Sequence, residues 1–209
     1  MAGPDSPASV TRPLGVAILA GGRARRMQGL DKSTLDVAGT SIIDRQLAVL
    51  REVADELRIV AADPPAYARY GVPVSADLEP GFGPLGGLYT ALHLSTVPHT
   101  FVVACDMPFV SRALVERLAA LAAPDVDVVV PRTRDGSHPL CAVYARSVLS
   151  AVRRRMDRGA LALKGLLEDV RVAELGPEEM TRLDPDGILL FNVNTPHDYR
   201  EACSRALVR

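Results

Sequence analysis

The sequence predicts a three-layer α/β/α domain with a mostly parallel sheet, and three observations carry that expectation. Short, continuously apolar runs alternate with segments of helical spacing along most of the chain. The first run, Val16–Leu19, feeds into Gly21-Gly22. The strongest, Thr100–Cys105, halts at Asp106-Met107-Pro108, where proline ends strand pairing. Apolar succession without alternation marks strands buried on both faces, as parallel sheets require.

At 209 residues the chain suits one core, burying roughly 70% of the surface its unfolded form exposes. Hydrophobic residues at 48% against 23% charged exclude disorder for most of it. Lys plus Arg (24) nearly balances Asp plus Glu (25), which leaves no electrostatic footprint for nucleic acid or an anionic membrane. No apolar run approaches the ~20 residues that span a bilayer. Cys105, Cys141 and Cys203 are odd in number and lack metal-ligand spacing, so a reducing cytoplasm is expected. Residues 1–13, rich in Pro, Ser, Gly and Ala without an apolar stretch, are expected to be a disordered tail before a single domain over 14–209.

The stretch Val16–Thr34 crowds Arg23, Arg25, Arg26 and Lys32 behind a strand and a Gly-Gly pair. Repulsion among these cations is relieved if a polyanion such as a nucleoside triphosphate binds, and this is preferred to a solvated basic turn. Lys32-Ser33 follows Asp31 rather than glycine, so the loop is no Walker sequence, and the adjacent glycines do not fit a dinucleotide fingerprint.

Further along, Leu35–Gly39 is turn-like and Ser41 caps a helix through Ile42, Ile43, Leu47 and Leu50. Leu57–Ala61 is a strand, Asp63-Pro64-Pro65 breaks it before a helical segment around Tyr67, and a brief run at Val72–Val74 leads to Asp77. Glu79–Gly87 (EPGFGPLGG) precedes a helix through Leu88, Ala91 and Leu92, and serves equally as a plain loop or as a ligand contact. Ser111 caps the next helix. Val126–Val130 is a strand, and Leu140–Tyr144 returns as an antiparallel edge or hairpin partner, so the sheet is mixed. A helix-rich segment spans Arg146–Glu168, where Arg153-Arg154-Arg155 is expected to be a solvated face because no aromatics interleave it. Val170–Leu175 and Ile188–Phe191 read as strands, and Thr195-Pro196 starts the last helix.

Ligands of open α/β sheets bind beyond the carboxyl ends of the strands. The Gly-Gly loop, Asp77 and Asp106 all fall there. Asp106, between a buried run and a proline, is placed to anchor Mg²⁺, which needs only one or two protein carboxylates beside phosphate and water. These groups suit attack of a substrate phosphate on a nucleotide α-phosphorus, with Arg26 and Lys32 neutralising the departing charge. Cys105 and Cys141 read as core residues rather than nucleophiles. His138 reads as structural or exposed. Asn192 and Asn194, one residue apart on an extended segment, serve either as a pterin-like donor and acceptor pair or as a turn and cap.

Five motifs occur in one order: Leu19-Ala20-Gly21-Gly22 with Arg26-Met27 and Lys32, Gly83-Pro84-Leu85-Gly86-Gly87, Cys105-Asp106-Met107-Pro108, His138-Pro139, and Asn192-Val193-Asn194-Thr195-Pro196. Together they resemble the molybdenum cofactor guanylyltransferases (molybdopterin-guanine dinucleotide synthases) over Val16 to about Ala202. The resemblance implies a Rossmann-like nucleotidyltransferase domain with a mostly parallel, mixed sheet. The activity implied is transfer of GMP from GTP to the phosphate of molybdopterin or Mo-molybdopterin, releasing pyrophosphate. It further implies Mg²⁺ at Asp106, backbone of Leu19, Ala20 and Gly21 at the nucleotide, and Gly22, Arg26 and Lys32 near its phosphates. Asp77 would read the nucleoside, and Asn192 and Asn194 would line the molybdopterin side. Molybdoenzyme maturation proteins are candidate partners; nucleic acid and membrane are not. Gln28 stands where the motif carries glycine, and Ala61, Ala62 and Asp63 stand where many relatives carry a nucleotide-contacting asparagine. Molybdenum cofactor cytidylyltransferases, which typically carry Ala-Ala-Gly at Ala20-Gly21-Gly22, and sugar-phosphate nucleotidyltransferases are the alternatives. A non-catalytic nucleotide or cofactor carrier is the alternative from another class.

Overall fold

The structure, a computed structural model, describes residues 13–20 and 32–207. Most of the expected tail, and the loop bearing Gly21, Gly22 and Arg26, lie outside the described residues. Strand β1 (Leu14–Ala20) is followed by a hairpin of β2 (Asp36–Val37) and β3 (Thr40–Ser41), then helix α1 (Ile42–Leu50) and β4 (Glu56–Ala61). A 3₁₀ segment, Pro64–Tyr70, leads to β5 (Val74–Ser75), helix α2 (Gly83–Leu94), β6 (His99–Ala104) and α3 (Arg112–Ala120). Next come β7 (Val128–Thr133), β8 (Gly136–Ser137), β9 (Cys141–Ala145), α4 (Leu149–Asp157) and α5 (Leu163–Leu166). The chain closes with β10 (Val172–Leu175), α6 (Pro177–Leu183) and α7 (Pro196–Ala206).

The main sheet runs β10-β7-β9-β6-β1-β4-β5, with β8 paired to β7. β1 lies parallel to both β4 and β6, β4 to β5 and β7 to β10, while β9 is antiparallel to both β6 and β7. Alternation of side chains along β1 feeds two cores. Val16, Ile18 and Ala20 join α1, α3 and α6 through Leu47, Leu114 and Met180. Ala17 faces the opposite layer with Leu85, Leu88, Val152 and Leu166 of α2, α4 and α5. The three layers are thus the sheet and the helices on each of its two faces. A smaller cluster seats α7 against the hairpin through Val37, Ile42, Val193 and Ala202.

The three expected caps form. Ser41 Oγ accepts from the Asp44 amide at 3.2 Å and Ser111 Oγ from the Leu114 amide at 3.3 Å. Thr195 and Asp198 make a reciprocal capping box on α7.

Of the two places expected for Leu140–Tyr144, the hairpin partner holds: it pairs antiparallel with β7 and lies inside the sheet, between β7 and β6, not at its edge. Two expectations need correction. Ile188–Phe191 is no strand. The Asp184 carboxylate takes the Ile188 and Leu189 amides at 2.9 and 2.8 Å, and the Phe191 amide donates to the Ile188 carbonyl at 3.0 Å. The donors a ladder would need are therefore spent on a turn. The arginine run is solvated only in part: Arg155 is 16% exposed, paired with Asp169 at 2.7 Å, and Arg153 bridges Asp157 and Glu79. Helix α6 was not among the expected elements, although Pro177 at its start and Glu178-Glu179 in its first turn are the usual markers.

Candidate active site

Because β5, β4, β1 and β6 are mutually parallel, their carboxyl ends share one edge. Ala20 ends β1 there, Asp77 lies two residues past β5, and Asp106 two residues past β6. The backbone of Lys32 opens a 3₁₀ turn, Lys32–Thr34, whose buried Ser33 hydroxyl lies 3.0 Å from that of Tyr67. That contact ties the far end of the first loop to the 3₁₀ segment after β4.

Backbone hydrogen bonds join three of the sequence motifs at Asp106. The Cys105 amide donates to the Leu19 carbonyl at 3.1 Å, which extends β6 along β1 one step beyond the strand. From the other side, the Val193 amide donates to the Asp106 carbonyl at 2.8 Å. Residues near positions 20, 106 and 193 thus meet in one place.

The glycine-rich stretch earns its composition. Gly83 opens α2 at φ +58°, a backbone angle that side chains with a Cβ resist. A Cβ on Gly87 would stand 3.3 Å from Leu19 Cδ1, so the missing side chain lets α2 settle on the end of β1. Thr90 Oγ1 links the helix to the Asp77 turn, donating to the Gly86 carbonyl at 3.0 Å and accepting the Leu78 amide at 2.9 Å. Burial pushes the half-buried Asp77 carboxyl above its ordinary pKa.

Beside this edge opens a cavity of about 510 Å³ whose lining includes Pro84, Met107, His138, Leu163, Lys164 and Asn192. His138 lies 3.0 Å from Thr133 Oγ1 through Nε2. Burial, and secondarily the Lys164 charge, lower its pKa and favour the neutral ring. Asn192 donates to the Leu190 carbonyl at 3.0 Å. Asn194 is exposed, outside that lining, and gives its amide to Asp198 at 2.9 Å. The cavity therefore gathers Asn192 with His138 but not with Asn194. Lys164 and Pro84 were not singled out as candidate ligands by the sequence. For Lys164 no signal existed, since a lone lysine on a four-residue helix has no pattern to read.

Among the described residues no three His, Cys, Asp or Glu side chains gather as a metal cage. One strand-end carboxylate, such as Asp106, would suffice for a hard cation that completes its shell from ligand phosphates and water. Burial raises the Cys141 thiol to about 12, which leaves it inert as a nucleophile. No helix among the described residues is long and apolar enough to cross a membrane.

A mixed sheet whose parallel edge gathers the glycine-rich start of α2 and two carboxylates defines a nucleotidyltransferase-type α/β domain. The family model described as the MobA-like NTP transferase domain matches residues 16–173. The chain belongs to that family, as its five motifs led one to expect. It is 32% identical over 185 residues to the molybdenum cofactor guanylyltransferase of Desulfosudis oleivorans, covering 88% of this chain and 92% of that one. With a probable molybdenum cofactor guanylyltransferase of Pelotomaculum thermopropionicum it shares 36% identity, over 88% and 89% of the two chains. The crystal structure of molybdopterin-guanine dinucleotide biosynthesis protein A from Archaeoglobus fulgidus superposes with a TM-score of 0.79 at 28% identity, covering 93% of this chain and 100% of that one.

Proposed function

We propose that this chain transfers GMP from GTP to the terminal phosphate of molybdopterin or Mo-molybdopterin, releasing pyrophosphate and forming the guanine dinucleotide cofactor. One observation carries the reading: Asp106 and Met107 are consecutive, the first at the carboxyl edge of the parallel strands and the second in the wall of the adjoining cavity. Donor and acceptor sides meet within one peptide unit. The names of the relatives support the choice of GTP and a pterin phosphate.

In this reading a phosphate monoester with second pKa near 6 is largely dianionic at neutral pH, so its oxygen needs no general base. That oxygen bonds to the α-phosphorus while the bond to the β-phosphate bridging oxygen breaks in line, and pyrophosphate departs with that electron pair. Leu19, Ala20 and Gly21 contact the nucleotide by backbone, with Gly22 beside the phosphates. Arg26 and Lys32 offset the growing charge on the leaving group. Asp106 holds Mg²⁺, which supplies charge neutralisation on the nucleotide phosphates. Asp77 reads the nucleoside. Asn192 and the Lys164 ammonium bind the anionic acceptor, and neutral His138 orients it by hydrogen bonding rather than by taking a proton. Asn194 completes the acceptor side only if its segment shifts on binding. A single nucleotidyltransferase domain over residues 14–209, working in the cytoplasm and passing its product to molybdoenzyme maturation proteins, completes the proposal.

Pyrophosphate release from GTP, CTP, ATP and UTP, with Mg²⁺ and with or without molybdopterin, tests base and acceptor together. Release from GTP that depends on molybdopterin is expected. Consumption of CTP with GTP ignored would overturn the base assignment, and binding without any release would point to a carrier.

A further inference from the structure

We infer that Gln46 is a positioning residue for Asp106, a role that rests on Asp106 being the metal-holding carboxylate. Gln46 projects from α1 into the interior and is fully buried. Its Nε2 donates to the Ala104 carbonyl at 2.8 Å and to the Met107 carbonyl at 3.0 Å. Those two carbonyls flank Cys105-Asp106, so one side-chain amide spans the turn on which the carboxylate stands. The reversed amide would set Oε1 against two carbonyl oxygens, and the acceptors therefore dictate the orientation.

The cost of this arrangement is visible. Gln46 Oε1 is buried with no hydrogen-bond partner among the described residues. A site selected for packing alone would carry leucine or methionine and leave no orphan oxygen. The amide is explained by what it does for the turn. Strand β6 ends at Ala104, and Gln46 holds the Ala104 and Met107 carbonyls on either side of the turn that follows. With Val193 gripping the Asp106 carbonyl from the opposite side, the turn is clamped from both flanks. Helix α1 is itself fixed by the Ser41 cap and by buried Ile42, Ile43, Leu47 and Leu50. A reacting group must keep its place within a fraction of an ångström, and such outer hydrogen bonds supply that rigidity.

Gln46→Met keeps length and volume and removes both donors. We expect a folded protein whose GTP affinity measured in EDTA stays within about twofold of wild type, whose Mn²⁺ dissociation constant in the GTP complex, read by electron paramagnetic resonance, rises about tenfold, and whose kcat falls by about 10- to 100-fold. Wild-type Mn²⁺ affinity and kcat in folded Gln46→Met would overturn the inference. Asp106→Asn, measured alongside, separates the two readings. Unchanged Mn²⁺ affinity there removes Asp106 as the metal carboxylate, whereas a loss there with normal Gln46→Met removes only the role of Gln46. If Gln46→Met does not fold, the native protein decides. It contains two glutamines, Gln28 and Gln46, so the side-chain amide resonances of Gln46 are readily assigned. They should resist hydrogen exchange and shift when Mg²⁺ joins the GTP complex; rapid exchange or no shift would refute the role.

Discussion

On the β5-β4-β1-β6 side every neighbouring pair is parallel and Asp77 and Asp106 follow strand ends, whereas β9 and β7 pair antiparallel and the candidate residues beside them come from a turn, a four-residue helix and an irregular segment. The nucleotide side inherits its geometry from the backbone ladder. The cavity side is held by individual side chains: Tyr144 Oη donates to the Pro139 carbonyl at 2.6 Å, Thr133 meets His138, and Asp184 grips the chain before Asn192. A ladder shares its load among many bonds, while a clamp fails with one substitution. Apart from Gln46 and Thr90, whose side chains hold the turns that bear Asp106 and Asp77, single changes outside the site should therefore disturb the cavity side more than the nucleotide side.

The sharpest contrast is between losing chemistry and losing a clamp. Asp106→Ala should lower turnover by about 10³-fold with the far-ultraviolet circular dichroism unchanged. Near-normal activity would remove the metal assignment. Asp184→Ala should leave two buried amides unpaired and cost about 2–3 kcal/mol in urea unfolding. In what remains folded, KM for the acceptor should rise while KM for GTP does not. Equal increases in both would mean that the two sides are not mechanically separate.

Lys164→Ala tests the cavity without touching its framework. The ammonium contributes charge, so KM for molybdopterin should rise about tenfold, equivalent to about 1.4 kcal/mol, with kcat and the GTP KM little changed. A selective effect on GTP would move Lys164 to the nucleotide side.

The same contrast explains what could be read from the sequence. Val16–Leu19 and Thr100–Cys105 were legible because strands buried on both faces are apolar throughout, and a carboxylate just past them falls at the ligand edge by topology alone. Ser41, Ser111 and Thr195 were legible because capping is local. Ile188–Phe191 misled because Ile188, Leu189 and Leu190 are buried, as a strand's residues would be, while its first two amides answer to Asp184. The Asp184-Pro185-Asp186-Gly187 turn signature just before it was the available warning. The inner place of β9 and the contribution of Lys164 depend on which distant elements become neighbours, and no local pattern encodes that.

A milder probe of the same difference is acid. The Asp127 carboxylate, before β7, accepts from the Arg171 backbone amide at 3.0 Å, from Arg171 Nε and Nη2 at 2.9 Å each, and from Ser147 Oγ at 3.0 Å. It thereby ties β7 to the start of β10 and to the turn before α4. The Arg171 guanidinium holds its pKa well below the usual carboxylate range. A carboxyl depressed by folding stabilises the native state above its unfolded pKa of about 3.9 and loses that contribution as pH falls toward the folded value. Asp127→Asn should thus cost about 1 kcal/mol at pH 7, kept small by the exposure of Arg171, and progressively less below pH 4. Hydrogen exchange should show the loss at neutral pH concentrated in β7, β10 and α4, with β1 and β4 spared. Uniform loss across the sheet would mean that the two halves open as one unit and that the clamps on the cavity side are not local.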